Sequence, residues 1–311
     1  MKIFIFDPLW DNLVTPELIA KLDDAGLEVI VTKTGAVKDC AHLFEGQDER
    51  ILCLNPDFVN WDFKAEDYKD IPNLKAILIA STAFSWIDTA FASSNNIPVC
   101  NIKNFSTEAV AEWAITMMHN LARQIPRLLK DGFPLDFDKD FMNYRGLQLK
   151  GRIAGIIGLG HIGSAIAERC KGLGMNVVYW TKSNKDSQYS KVELDDLFQT
   201  ADVIFPTMAL NDETKKIITD SHIKSMKKSA ILISIVHDMF NQELVLENVK
   251  AGTLFGYGFE AVPKSFSNYS GNVWAAPAYG WATDQSMHNS MAAWIDNMLD
   301  ASKGNFPNKI N

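Results

Sequence analysis

A chain of 311 residues with 47% hydrophobic and 22% charged residues can bury a substantial core, and we expect two domains. The net charge of −8 and the lack of a long basic run disfavour electrostatic binding to the phosphate backbone of a nucleic acid, so a small-molecule partner is expected. No apolar run approaches the length of a membrane span, and the opening MKIFIFDPLW has a strand pattern rather than that of a leader. The four cysteines lie far apart without a CxxC pair, which predicts buried thiols, no metal site and a cytoplasmic protein.

Short apolar runs alternate with helical patterns over the first hundred residues. TPELIAKLDDAG has the spacing of an amphipathic helix, and the strand-like runs are MKIFIFD, EVIVTK, ERILCLN, LKAILIA and IPVCN. This alternation predicts an α/β fold, in which helices cover both faces of a parallel sheet.

A long helix, STEAVAEWAITMMHNLARQIPRLL, is predicted from Ser106, with Ser106 or Thr107 as its cap and with Pro126 kinking or ending it. A second alternating series starts at Arg152. Its predicted strands are RIAGIIG, MNVVYWT, DVIFPTM, AILISIV, FGYGFEAV and NVWAAP, its helices follow Gly163 or surround VELDDLF and QELVLENVKAG, and a last helix surrounds MAAWIDNMLDAS.

The segment GLGHIG lies between the first strand of this second series and the helix that follows it. Its glycines, Gly158, Gly160 and Gly163, suit a tight turn, a close approach of backbone to a pyrophosphate, and close packing of helix on strand. His161 and Ile162 begin the helix, whose free N–H groups favour phosphate. A second strand follows at the spacing of a βαβ unit, so the sequence predicts a dinucleotide site.

The strand MNVVYWT is followed by Thr181, Lys182 and Ser183. An NAD site usually places an acidic residue here to bind the adenosine ribose. Two hydroxyl groups and an ammonium group suit a 2′-phosphate better, and Lys185 lies close behind. We therefore expect NADP as the cofactor rather than NAD, although a solvated polar loop with no bearing on the cofactor is the alternative.

Four segments give the chain a resemblance to the D-isomer-specific 2-hydroxyacid dehydrogenase family over nearly its full length. They are LKGRIAGIIGLGHIGSAIAERCKGLGMNVVYW, STEAVAEWAITMMHNLAR, ADVIFPTMALNDET and MKKSAILISIVHDMFNQELVLENVKAG. The resemblance implies two Rossmann-like domains with parallel sheets and a homodimer. The substrate-binding domain would be discontinuous, 1–103 and 284–311, and the dinucleotide-binding domain would span 104–283. We also expect Thr207, Ile235, Glu260 and Gly280 to belong to the cofactor site.

The same resemblance implies a catalytic arginine, acidic residue and histidine, and all three positions are substituted here. The arginine's place falls on His237, the acidic residue's near Ser265, and the histidine's on Ala278 in NVWAAPAYGW. Histidine lacks the permanent charge and fork of a guanidinium, and alanine transfers no proton. Turnover of a simple 2-hydroxy acid is therefore not expected.

Tyr279 and His237 remain as candidate catalytic groups, with His288 as a further candidate, although Tyr279 is equally a packing aromatic and His237 equally an accommodated polar residue. In IASTAFSW, the backbone of Ser81, Thr82 and Ala83 offers donors to a substrate, while the bulk of Phe84 and Trp86 favours a more apolar guest.

Two functions fit these observations. The first is an NADP(H)-dependent oxidoreductase that acts on a non-standard ketone, imine or conjugated acceptor, mainly in the reductive direction. The alternative is a catalytically inactive NADP-binding dimer that serves as a redox sensor or scaffold. Fold analogy alone does not separate them.

Overall fold

The computed structural model describes residues 1–133, 141–183, 185, 187–236, 238–260 and 269–311. These residues divide into two compact units, and each combines a parallel sheet with helices, as the sequence predicts. Unit 1 comprises residues 1–106 and 283–311, and unit 2 comprises residues 107–282.

Strands and helices alternate along most of the chain. The strands are β1 (Lys2–Phe6), β2 (Glu28–Thr32), β3 (Arg50–Leu54), β4 (Leu74–Ile79), β5 (Val99–Cys100), β6 (Ile153–Ile157), β7 (Asn176–Trp180), β8 (Ser190–Lys191), β9 (Val203–Pro206), β10 (Ile231–Ser234), β11 (Gly256–Glu260) and β12 (Val273–Ala276). The α-helices are α1 (Trp10–Leu13), α2 (Pro16–Asp24), α3 (Ala65–Tyr68), α4 (Thr89–Ser94), α5 (Thr107–Ala122), α6 (Ile125–Lys130), α7 (His161–Gly172), α8 (Leu194–Thr200), α9 (Asp220–Ser225), α10 (Gln242–Ala251) and α11 (Asp284–Ser302). Short 3₁₀ helices cover Val37–Phe44, Pro56–Val59 and Thr214–Lys216.

The sheet of unit 1 has the order β2-β1-β3-β4-β5, with every pair parallel. Side chains alternate across it, so Ile3 and Ile5 join one buried cluster while Phe4 and Phe6 join another on the opposite face. Each fully buried side chain of this size contributes about 1.5–3 kcal/mol. A strand that is apolar on both faces is therefore stable only between two layers of helices.

The last helix, α11, completes unit 1 rather than unit 2. Thr283 caps it, because its hydroxyl accepts a hydrogen bond from the Ser286 backbone N–H. Trp294 is fully buried in the cluster that contains Ile3, and its indole N–H donates to the Leu78 carbonyl at 3.1 Å. The chain thus returns to the N-terminal unit after forming unit 2.

Unit 2 has a seven-stranded parallel sheet in the order β12-β11-β10-β9-β6-β7-β8. Residues from α5 and α7 pack with one face of the sheet, where Ile156 and Phe205 are buried. Residues from α8, α9 and α10 pack with the other face, where Ile157 and Ile204 are buried. The strand order reverses between β6 and β9, and open α/β sheets bind ligands at the carboxyl ends of the strands that flank such a point.

The long helix predicted from Ser106 is two helices. It ends at Ala122, Gln124 adopts a left-handed conformation with φ of 54°, and Pro126 is the second residue of α6. Proline fits the first turn of a helix because no backbone N–H is needed there. Pro126 therefore marks the start of a new helix, as its missing N–H requires.

The four cysteines are free thiols and all are buried, which confirms the prediction of buried thiols. Burial raises the pKa of the Cys170 thiol to about 12 and that of Cys100 to about 11. In the part of the chain that the structure describes, no helix is both long enough and apolar enough to cross a membrane.

Candidate functional site

The glycine turn after β6 requires glycine at two of its three glycine positions. Gly158 has φ of +97°, and a Cβ there would lie 2.7 Å from the Met208 side chain. A Cβ on Gly163 would lie 2.1 Å from the Gly158 carbonyl oxygen and 2.7 Å from Thr207 Oγ1. The packing around the turn therefore leaves no room for a side chain at either position.

Gly160 differs from the other two glycines because a Cβ there would meet no protein atom within 4 Å. It is the N-cap of α7, and it offers no side chain to the first N–H groups of that helix. His161 is exposed and Ile162 is half-buried in the first turn. Open space in front of unpaired N–H groups at the positive end of a helix suits a pyrophosphate.

Thr207 buttresses the turn from the neighbouring strand. It follows β9, and its hydroxyl donates to the Gly158 carbonyl at 2.6 Å. Because β6 and β9 flank the point where the strand order reverses, Gly158 and Thr207 stand where a doubly wound sheet binds its ligand. These residues fit the phosphate groups of a dinucleotide.

The polar segment after β7 carries two ammonium groups. Lys182 is exposed and its Nζ lies 2.8 Å from Glu213 Oε2, and this contact lowers the pKa of the Glu213 carboxyl through the hydrogen bond and the charge of Lys182. Lys185 Nζ donates to the Leu159 carbonyl in the glycine turn. Thr181 is half-buried and Ser183 is exposed.

A cavity of about 520 Å³ lies between the glycine turn and this segment. It is lined by Leu159, Ser164, Lys185, Ser187, Gln188 and Tyr189. Lys185 therefore lies directly beside the glycine turn, although it is distant from that turn in the sequence. Glu213 was not predicted, because it lies on a distant loop after β9 and no local pattern connects it to Lys182.

The carboxyl ends of β10 and β11 bring two further predicted residues to the same edge. Ile235 is half-buried directly after β10. Glu260 ends β11, and one of its oxygens accepts the Gly280 backbone N–H at 2.7 Å. Burial raises the pKa of Glu260, while the hydrogen bond from the Gly280 N–H opposes that rise. Glu260 thus connects the end of β11 to the loop that contains Gly280.

Trp113 of α5 packs against Gly280 and Glu260. A Cβ on Gly280 would lie 2.7 Å from the Trp113 ring and 2.8 Å from Glu260 Oε1. The Trp113 ring also packs edge-to-face against the Trp274 ring, with ring centroids 6.1 Å apart. Glycine at position 280 is therefore required by packing.

The loop after β12 presents Tyr279 to solvent. Pro277 and Ala278 are exposed, the Tyr279 backbone N–H donates to the Pro277 carbonyl at 2.7 Å, and the Tyr279 side chain is 64% exposed. A ring this exposed contributes little to the core of unit 2. The observation disfavours a packing role for Tyr279 within this unit.

His237 and Ser265 lie outside the described residues. Next to His237, Val236 is half-buried and Asp238 is exposed with φ of 55°. The sequence contains no arginine after Arg169. The second half of unit 2 therefore supplies no guanidinium to bind a carboxylate.

In unit 1, the loop after β4 is fixed by its own side chains. The Ser81 hydroxyl donates to the Ala83 carbonyl at 2.7 Å, and the Thr82 hydroxyl donates to the Ile102 carbonyl at 3.0 Å. The backbone N–H groups of Thr82 and Ala83 have no acceptor among the residues that the structure describes. The loop can thus offer backbone donors, and their role in substrate binding stays a prediction.

Phe84 and Trp86, expected to share the wall of a substrate pocket, differ in exposure. Phe84 is 42% exposed, whereas Trp86 is buried and its indole N–H donates to the Ala83 carbonyl at 2.9 Å. Trp86 therefore stabilises the loop from its buried side, and Phe84 presents more apolar surface to a guest than Trp86 does. His288 is an exposed residue of α11. Across the described ranges, no group of three or more His, Cys, Asp or Glu side chains is placed to hold a metal ion.

Comparison with known proteins identifies the family. Residues 115–278 match the family model described as D-isomer specific 2-hydroxyacid dehydrogenase, NAD binding domain. A glycerate dehydrogenase from Methylorubrum extorquens is 30% identical over 248 residues, which cover 76% of this chain and 78% of that protein.

Two solved structures superpose on the whole chain. The TT0316 protein from Thermus thermophilus is 25% identical with a TM-score of 0.80, and each chain is covered completely. An acyclic imino acid reductase, in complex with NADPH and D-Arg, is 21% identical with a TM-score of 0.80, and again both chains are covered completely. The second likeness shows the fold alone.

Proposed function

This chain belongs to the D-isomer-specific 2-hydroxyacid dehydrogenase family, and we propose that it is an NADP(H)-dependent reductase whose substrate is not a simple 2-oxo acid. Membership makes it an NAD(P)-binding oxidoreductase of that family. One observation carries the finer proposal. The glycine turn and helix terminus for a dinucleotide are complete, whereas position 278 is alanine and no arginine follows Arg169.

The residues after β7 support NADP over NAD. Thr181, Lys182 and Ser183 place no carboxylate against a 2′-phosphate, and Lys185 adds a second ammonium beside the glycine turn. Charge-assisted hydrogen bonds from such groups bind phosphate well. Lys182 would exchange Glu213 for the phosphate, and both side chains are exposed, so the exchange costs little.

The bound dinucleotide would supply the hydride, and the chain's own residues would hold it and the proton. The backbone N–H groups at the start of α7 bind pyrophosphate, and Glu260, Ile235 and Gly280 border the carboxyl edge of the sheet. Glu260 would position the loop at Gly280 through the hydrogen bond that it accepts from the Gly280 N–H.

An acceptor that is already polarised suits the groups that remain. An imine or a conjugated carbonyl compound needs less assistance from an acid than a ketone does. The backbone N–H groups of Thr82 and Ala83 would bind an anionic or carbonyl oxygen, and Phe84 would contact an apolar part of the substrate. The name of the acyclic imino acid reductase provides a precedent for imine reduction on this fold.

Tyr279 is the proposed proton donor. Its ring projects into solvent from the loop that carries Ala278, and a phenol O–H donates a proton at neutral pH far more readily than it accepts one. Reduction is therefore the favoured direction. In that step the hydride would add to the carbon of the C=O or C=N bond, and the phenol proton would go to its oxygen or nitrogen. His237 would act mainly on substrate affinity.

The test is NADPH oxidation with a panel of 2-oxo acids, imines formed from 2-oxo acids and amines, and conjugated carbonyl compounds. We expect turnover with a member of the last two classes, and less than about 1 per second with glyoxylate, pyruvate or hydroxypyruvate, the low end of the usual enzyme range. Tyr279→Phe should lower kcat by about 10²-fold, the effect of a lost general acid, and leave the Kd for NADPH unchanged.

Tyr144→Phe is the matched control, since it removes a phenol that bonds Asp131 and lies before β6, away from the carboxyl edge. It should retain the wild-type kcat. Rapid turnover of the three 2-oxo acids would contradict the substrate proposal. NADPH binding without turnover of any acceptor would instead support an inactive NADP-binding dimer. Sedimentation of the purified protein tests the homodimer, which stays a prediction.

A further inference from the structure

A cavity of about 860 Å³ lies at the amino end of the sheet of unit 2. Lys227 and Lys228 precede β10, Phe255 precedes β11, and Asn272 precedes β12. The glycine turn follows β6, at the carboxyl end. A strand of four or five residues spans about 13–17 Å, so this cavity is separate from the dinucleotide site.

Five cationic side chains line the cavity, and no aspartate or glutamate is among its described lining residues. The five are Arg127, Arg145, Lys227, Lys228 and Lys250. A chain with a net charge of −8 thus concentrates positive charge in one concave site. A cavity lined by one sign of charge raises the local concentration of ligands of the opposite sign.

Two of the cations face carboxylates among the residues that the structure describes. Arg127 Nε lies 3.6 Å from Asp131 Oδ2, and Lys227 Nζ lies 3.3 Å from Asp202 Oδ1. Within the described ranges, Arg145, Lys228 and Lys250 are in no ion pair. Lys250 lies in the last turn of α10, where a lysine is common because the helix dipole favours it. Arg145 and Lys228 lie outside helices, so the dipole does not account for them.

A buried amide points to a second feature of the ligand. Asn272 is 4% exposed, and its Nδ2 donates to the Leu121 carbonyl at 2.9 Å and to the Phe255 carbonyl at 3.2 Å. These two acceptors fix the orientation of the amide and leave Oδ1 buried without a donor among the described residues. Because Oδ1 has almost no accessible area, a ligand hydroxyl or amino group would pair with it only where the cavity wall shifts to admit it.

The cavity also has an apolar part, formed by Val249, Leu254 and Phe255. Its volume lies in the range of about 300–1,000 Å³ that holds small organic ligands. Cations for a phosphate, an acceptor for a hydroxyl or amino group and an apolar wall for a ring are the features of one ligand class. We infer that this cavity is a second ligand site, and that it binds a nucleoside phosphate.

The test separates this site from the dinucleotide site by saturating the protein with NADPH first. Calorimetric titration with adenosine monophosphate and uridine monophosphate should then give saturable one-site binding that weakens with added salt. Lys228→Gln combined with Lys250→Gln should weaken this binding at least tenfold and leave the affinity for NADPH unchanged. Lys224→Gln is the matched control, because Lys224 is an exposed lysine of α9 that does not line the cavity, and it should change neither.

Three outcomes would overturn the inference. The first is that neither nucleotide gives saturable binding to the NADPH-loaded protein. The second is that inorganic phosphate binds as tightly as the nucleotides, since the apolar wall and Asn272 would then contribute nothing. The third is that the double variant changes the sedimentation of the protein and not its nucleotide binding, which would make this face an interface between copies of the chain.

Discussion

Two alanine substitutions in the glycine turn should have opposite consequences for folding and for cofactor binding. Gly160 has φ of −82° and ψ of −163°, which alanine adopts, and a Cβ there meets no protein atom within 4 Å. Gly163 lies three residues on, where a Cβ would be 2.1 Å from the Gly158 carbonyl oxygen. The first position leaves space for a ligand, and the second has no space at all.

The magnitudes follow from these contacts. Gly160→Ala should leave the free energy of unfolding unchanged or raise it by about 0.4–1 kcal/mol, because alanine restricts the unfolded chain. Its methyl group would occupy the space in which the pyrophosphate approaches the backbone, and we expect NADPH affinity to fall about 100-fold, or roughly 2.7 kcal/mol. Gly163→Ala should cost about 3 kcal/mol of stability, since the carbonyl it meets belongs to a packed turn.

Urea unfolding and NADPH titration, measured on the same preparations, provide the assay. Gly172→Ala is the control, because Gly172 ends α7 and a Cβ there also meets nothing within 4 Å. It should bind NADPH as the wild type does. If Gly160→Ala also binds NADPH with wild-type affinity, no phosphate approaches the chain at this turn and the dinucleotide site lies elsewhere.

Three further predictions concern charge. Lys182→Ala should weaken NADPH binding about tenfold in calorimetry and leave NADH binding unchanged, because one charge-assisted hydrogen bond to the phosphate is lost. Glu213→Gln should strengthen NADPH binding, because it frees Lys182. Equal affinities of the wild-type protein for both cofactors would refute the choice of NADP. Burial raises the pKa of Glu260 above its usual 4.5, so the stability that its proton provides is present below pH 4.5 and is lost as the pH rises towards the raised pKa. Glu260→Gln should flatten this part of the pH dependence of urea unfolding. An unchanged pH profile would contradict this prediction. Arg50 is 1% exposed, and its guanidinium donates to five backbone carbonyls in unit 1. Arg50→Met should therefore lower the free energy of unfolding by about 3 kcal/mol or more. A variant as stable as the wild type would show that water replaces these hydrogen bonds.

The strands were largely predictable from sequence because each main one is a short apolar run between polar turns. The exception is β8, Ser190–Lys191, whose two residues are exposed and polar. It is a strand only because Val178 and Tyr179 of β7 pair with it, and pairing of that kind leaves no hydrophobic pattern. The start of α11 is predictable as well, because the Thr283 and Ser286 pair is a recognisable N-terminal cap.

The site was predictable where its chemistry depends on local sequence. The glycine turn is contiguous, so its spacing alone gives the roles of Gly158 and Gly163. The contacts of Lys182 with Glu213, and of Trp113 with Gly280 and Glu260, join residues that are distant in the chain. Such contacts depend on the order of strands in the sheet, which residue types and spacing do not specify.

The two halves of the proposed chemistry therefore differ in how far family membership constrains them. Dinucleotide binding depends on backbone N–H groups, and many side chains of the surrounding unit can change without altering them. Proton transfer depends on the one side chain that reaches the reacting atom, so a single substitution removes it. With alanine at 278 and an exposed phenol at 279, the chain has the backbone groups for dinucleotide binding but lacks the usual side chain for proton transfer. The acceptors to assay first are consequently those whose C=O or C=N bond is already polarised, because they require least from Tyr279.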